Sequence, residues 1–171
     1  ICAIPTNTLN RTFASLGRSL RKDRYLESIE AAYLILSSYR RFPSDDEFMR
    51  DFAVRDLYSF RSRSYWLRRL ENDGRKERVP VRDYTIEHIM PQNRELSREW
   101  REDLGPDWER VHETKLHTLG NLTLTGYNSE YSDRPFARKR DMEGGFKESP
   151  LRLNEGLGST ERWDEAAIDA R

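Results

Sequence analysis

Apolar positions recur at helical spacing through the first part of the chain. Between Asp23 and Tyr39, Leu26, Ile29, Tyr33 and Leu36 fall near a 3.6-residue period, which predicts a helix that stops before Pro43. Ser44, with Glu47 three residues on, makes a capping box that opens a second helix through Met49, Phe52 and Ala53. Ser62 or Ser64 starts a third, carrying Tyr65, Trp66, Leu67 and Leu70 towards the turn at Asp73 and Gly74. From Tyr84 the pattern changes. A short β-branched and apolar run, Tyr84 to Ile89, predicts a strand that Pro91 prevents from continuing. Helical turns follow from Ser97 to Glu113. Leu119, Leu122 and Leu124, interleaved with Asn121, Thr123 and Thr125, then predict a second strand over 119–125. A further helix begins near Tyr127 and resumes at Pro135, whose fixed φ suits a first turn. Thr160 caps a last helix that packs Trp163, Ala167 and Ile168 on a core. The expected architecture is α+β and mostly helical, with a helical scaffold over 1–80 and a second domain over 81–171. The division falls in the polar stretch 72–81, which contains Gly74 and Pro80.

Composition narrows the classes. Only 36% of the residues are hydrophobic and 35% are charged, yet four Trp, eight Tyr and seven Phe supply large core anchors. The longest apolar run, Ala31 to Leu36, falls far short of the ~20 residues a membrane helix needs. A single cysteine, Cys2, excludes an internal disulfide and a Cys-rich zinc site. The three histidines, at 88, 112 and 117, lack the i, i+4 pairing of zinc peptidases. A reducing, cytoplasmic setting is therefore expected. The chain opens at Ile1 with no cationic segment leading into an apolar one, so no signal peptide is expected, and it reads as a piece of a longer protein. Net charge is zero, but it is unevenly spread. Residues 55–82 carry nine basic against four acidic side chains, and Arg134, Arg138, Lys139 and Arg140 form a second basic group suited to phosphate contact.

The candidate chemistry lies in two segments about thirty residues apart, Thr85 to Asn93 (TIEHIMPQN) and Leu119 to Asn128 (LGNLTLTGYN). Two strands and a following helix would gather Glu87, His88 and Asn128. Neighbouring residues 87 and 88 face opposite sides of a regular strand, so both serve one site only if the strand ends or bulges there. An imidazole with a pKa near ~6.5 can take a proton from water, and carboxylate and amide oxygens suit a hard divalent cation. Asn121, inside an apolar run, must satisfy its amide, and bracing the loop through backbone hydrogen bonds would do so. His117 is open to two readings, a place near the site or on a phosphate and a satisfied structural histidine, whereas His112 sits in an acidic helical stretch with no evident role.

The order acidic residue, His, Asn, Asn resembles HNH nucleases of the ββα-metal superfamily. The fuller text, EHIMPQ, then HTLGNLTL, then Asn128, then PFARK at 135–139 and Trp163, Ile168 and Arg171, is similar to the C-terminal nuclease domain of GmrSD-type, modification-dependent restriction enzymes. These include the Ssp-type enzymes that respond to phosphorothioated DNA. The resemblance is strong over 84–171 and weaker before it. It implies an HNH endonuclease with His88 as general base, Glu87 and Asn128 on the metal side and Asn121 bracing the loop. It further implies magnesium as cofactor, with manganese able to substitute, and 5′-phosphate and 3′-hydroxyl ends. DNA contacts would come from Arg134, Arg138, Lys139, Arg140 and His117. An upstream nucleotide-hydrolysing domain senses modified DNA in such enzymes, which act against phage. The competing reading is a catalytically silent DNA-binding or docking module of the same fold.

Overall fold

The computed structural model describes residues 1–4, 6–37 and 41–171. It divides into two compact units, 1–52 and 53–171. In the first, α1 (Leu9–Leu16) precedes α2 (Tyr25–Leu34) and α3 (Asp45–Val54), whose last two residues belong to the second unit. The sequence pattern did not predict α1. Leu9, Phe13 and Leu16 do recur at i, i+4 and i+7, but with no side-chain cap to mark the start. α2 is shorter than its periodicity suggests: it ends at Leu34, and the expected extension through Tyr39 runs into residues 38–40, outside those described. The Ser44 cap forms, accepting from Glu47 N at 3.2 Å. The reciprocal half does not, because the Glu47 carboxylate pairs with Arg41 instead.

The second unit holds α4 (Arg63–Glu71), β1 (Thr85–His88), α5 (Arg98–Leu104), α6 (Trp108–Lys115), β2 (Leu122–Thr125), α7 (Asn128–Tyr131), α8 (Phe136–Asp141) and α9 (Glu165–Asp169). β1 and β2 form a two-stranded antiparallel sheet, with Glu87 opposite Thr123 and His88 opposite Leu122. α4 packs with this half. The buried Glu71 carboxylate accepts the backbone N–H groups of Arg152 (3.0 Å) and Leu153 (2.9 Å) and pairs with Arg75 (2.9 Å). The stretch 72–81, expected to divide two domains, thus lies inside one compact unit.

β2 starts at Leu122, three residues later than the alternation predicts, because 119–121 curl into a 3-10 turn. Gly120 makes this possible: a Cβ there would run into the backbone carbonyl of Ile168. Arg171 holds the turn, its guanidinium donating to the carbonyls of Leu119 (3.1 Å), Gly120 (2.8 Å) and Leu122 (2.8 Å). Trp100, Trp163, Phe136, Phe146, Tyr131, Ile89 and Met90 form the core. Each large apolar side chain withdrawn from water contributes roughly 1.5–3 kcal/mol. Phe136 stacks on Trp163 at 5.2 Å. The last helix is capped by Asp164, which accepts from Ala167 N at 2.9 Å. The expected cap, Thr160, turns its hydroxyl to the carbonyl of Gly156. Among the described residues no helix is long and apolar enough to cross a membrane.

Candidate active site around His88

β1 ends at His88, and that termination lets neighbouring residues serve one cavity. Ile86, Glu87 and His88 line a pocket of about 170 Å³ together with Tyr58, Pro91, Gln92, Asn128, Ser132 and Asp133. Beyond His88 the chain leaves the sheet and is held by Asn121. Its Oδ1 accepts Met90 N at 2.7 Å and the Trp163 indole N–H at 3.2 Å, while its Nδ2 donates to the carbonyls of Met90 (3.0 Å) and Leu116 (2.9 Å). Every polar atom of this wholly buried amide is thus engaged. His112, also buried, bonds the Pro91 carbonyl through Nε2 at 3.0 Å and holds the far end of the same loop.

Asn128 opens α7 and lies beside β1. Its Nδ2 donates to the Ile86 carbonyl (2.9 Å) and to Thr85 Oγ1 (3.2 Å). A carbonyl oxygen can only accept, so this bond fixes the amide orientation, and Asn128 Oδ1 has no hydrogen bond among the described residues.

Glu87 is buried at 4% exposure, and its Oε1 accepts from Lys139 Nζ at 2.6 Å. Oε2 makes no hydrogen bond among the described residues. Burial pushes the carboxyl up to about 7 against the opposing charge of Lys139. Burial likewise holds the Lys139 ammonium below its ordinary value, with Glu87 resisting. Lys139 Nζ also donates to the carbonyls of His88 (3.1 Å) and Ile89 (3.0 Å). The expectation that Lys139 contacts phosphate is thereby corrected: it is 0% exposed and wholly occupied beneath the strand end. The other basic candidates differ among themselves. Arg134 and Arg138 are exposed, while Arg140 is strapped to the Thr160 carbonyl (2.8 Å) and to Asp141.

His88 is 4% exposed. Burial, reinforced by His117 and Lys139, lowers it to about 3, so the imidazole is neutral across the physiological range. Its Nε2 lies 2.9 Å from His117 Nδ1, and its Nδ1 has no hydrogen bond among the described residues. Tyr58 packs on both rings, edge-on to His88 at 4.5 Å and stacked on His117 at 5.3 Å. Arg63 covers the Tyr58 ring at 4.7 Å. The segment bearing Tyr58 is itself tied to His117, whose carbonyl accepts from Leu57 N at 2.9 Å.

The structure therefore brings Glu87, His88 and Asn128 to one cavity, with Asn121 behind it and His117 against His88. Sequence reasoning missed Tyr58 and Asp133. Asp133 is a short acidic side chain five residues beyond Asn128 and could have been suspected; Tyr58 lies in a turn with no periodic signal.

The oxygens left free here, Glu87 Oε2 and Asn128 Oδ1, are hard donors of the kind magnesium takes, since that ion uses one or two protein oxygens and keeps water and phosphate oxygens for the rest. Among the described residues no group of three or more His, Cys, Asp or Glu side chains is arranged to hold a metal by itself.

A strand-end cavity with a neutral buried imidazole beside carboxylate and amide oxygens is the kind of site used for hydrolysis. The chain belongs to the family of GmrSD restriction endonucleases, C-terminal domain, whose family model matches residues 42–171, about three-quarters of the length. Membership makes it a domain of the restriction-endonuclease type, a class of nuclease whose substrate is DNA. The match begins well before Tyr84 and takes in Tyr58 and α4. Neither a search of curated proteins nor one of solved structures returned a match.

Proposed function

We propose that this cavity is the active site of a metal-dependent DNA endonuclease of the HNH, or ββα-metal, kind. β1, β2 and α7 would supply the two strands and helix of such a core. The carrying observation is geometric: His88, with a ring nitrogen that makes no hydrogen bond among the described residues, shares one cavity with the free oxygens of Glu87 and Asn128. In this reading His88 takes the proton of a water molecule as that water attacks phosphorus in line. The bond to the 3′ oxygen breaks and that oxygen takes up a proton from solvent water, leaving 5′-phosphate and 3′-hydroxyl ends. Glu87 and Asn128 would hold magnesium, with manganese able to substitute, and the bound ion would neutralise charge on the phosphate and the departing oxygen. Asn121 keeps His88 at the strand end. Arg134 and Arg138 would contact flanking phosphates. An upstream nucleotide-hydrolysing domain would sense the modification, and the whole would act in the cytoplasm against phage DNA.

One observation favours the rival reading, a silent DNA-binding module: Lys139 already neutralises Glu87 and reduces its attraction for a cation. Supercoiled-plasmid nicking with magnesium, with manganese and with a chelator separates the two. Nicking only with a divalent ion supports the nuclease. DNA binding without nicking under any divalent ion supports the silent module.

A further inference from the structure

We propose that His117 is a positioning residue that sets the tautomer of His88, its Nδ1 accepting the His88 Nε2–H so that the lone pair of His88 Nδ1 is left for water. The inference rests on the reading of His88 as the general base. Two imidazoles joined Nε2 to Nδ1, here at 2.9 Å, share one proton between those atoms. If His117 were the donor, His88 Nε2 would spend its lone pair on that bond and its proton would sit on Nδ1. Such a ring has no basic nitrogen to offer. With His117 as acceptor, His88 Nδ1 is unprotonated, and no protein group among the described residues competes for it. Protonation of Nδ1 then makes an imidazolium whose Nε2–H still donates to His117, so the bond survives the step and no atom has to move.

The surroundings hold His117 for this task. Tyr58 stacks on it with an interplanar angle of 12° and meets His88 edge-on at 68°. The ring of His117 is thereby restricted to the plane in which its Nδ1 faces His88. The backbone of His117 is pinned by Leu57 N. Its Nε2 makes no hydrogen bond among the described residues and is free to carry the proton that the acceptor role requires. This is the arrangement by which a partner of one ring nitrogen dictates the chemistry of the other.

The test compares wild type, His117→Phe, His117→Asn and His88→Ala in the complete chain. His117→Phe keeps a ring for Tyr58 and removes the acceptor. His117→Asn keeps an acceptor oxygen where Nδ1 was. The readouts are side-chain ¹⁵N resonances of His88, which report its tautomer without turnover, and plasmid nicking resolved into kcat and KM. In the wild type His88 should carry its proton on Nε2. His117→Phe should lose that preference and reduce kcat about 10- to 100-fold with KM for DNA unchanged, as expected when a supporting group is removed from a catalytic imidazole. His117→Asn should retain the tautomer and most of the rate. A wild-type His88 protonated on Nδ1 would overturn the inference, whatever the variants do. So would a folded His117→Phe of full activity. If His88→Ala is inactive while His117→Phe is unimpaired, only the role of His117 falls; if His88→Ala nicks at the wild-type rate, the reading of His88 as base falls and takes this inference with it.

Discussion

Lys139→Met is the perturbation whose consequences follow most fully from the structure. The ammonium lies in the core, 2.6 Å from Glu87 Oε1 and within hydrogen-bonding distance of the His88 and Ile89 carbonyls. Methionine fills the space with no charge, leaving Glu87 as an unpaired buried carboxylate and both carbonyls without their donor. Breaking a buried pair from one side costs about 3–5 kcal/mol. The size must depend on pH. Glu87 already stands at about 7, above its ordinary 4.5, so the folded state binds a proton the unfolded state does not, and this contribution to stability is lost as pH rises from 4.5 through 7. Removing Lys139 raises Glu87 further. At pH 5 the carboxyl is protonated in the folded variant, and the remaining loss is that of the unpaired carbonyls, about 1–3 kcal/mol. At pH 8 the full 3–5 kcal/mol should appear. Urea unfolding of wild type and variant at the two pH values measures this. Glu87→Leu combined with Lys139→Met should be more stable at pH 8 than Lys139→Met alone, because the stranded charge is gone. A pH-independent loss, or one below about 1 kcal/mol at pH 8, would refute the argument.

Three further outcomes are expected. Asn121→Ala should lose about 1–3 kcal/mol in denaturant unfolding by stranding the Met90 backbone and the Trp163 indole, with nicking impaired alongside; wild-type stability would show that the amide braces nothing. Arg138→Ala, at an exposed position, should weaken binding to all DNA sequences alike and reduce the slope of log affinity against log salt by about one, whereas an unchanged slope would place Arg138 off the DNA path. His88, lowered to about 3 from 6.5 on folding, binds its proton preferentially in the unfolded state, so its contribution to stability declines as pH falls through that window. His88→Gln should therefore lose less stability than wild type between pH 6.5 and 3, a difference on the order of a few kcal/mol that also cancels the effect of Glu87; parallel acid-unfolding curves would contradict the burial argument.

What the sequence made legible was the local chemistry. The TIEHIMPQN and LGNLTLTGYN segments placed both strands, and the need of a buried amide for partners identified Asn121 as a brace. Less visible was anything depending on the phase of a short helix. Arg138, Lys139 and Arg140 are consecutive, and at 100° per residue they point three ways. α8 has only six residues, too few for its periodicity to reveal that Lys139 is the one turned inward. The allegiance of α4 was hidden for another reason. It rests on Glu71 bonding to backbone N–H groups more than eighty residues away, and no composition change at 72–81 encodes such a contact. Tyr58 is recognisable only by the rings it meets.

The central claim is that His88 is the base of a metal-dependent nuclease, and nicking of supercoiled plasmid by wild type and His88→Ala across a magnesium series tests it most directly. The expected result is divalent-dependent nicking by wild type and a loss of at least ~10² in rate for the variant, with folding and DNA binding intact. Nicking by folded His88→Ala at the wild-type rate, or wild-type nicking undiminished by a chelator, would contradict the account.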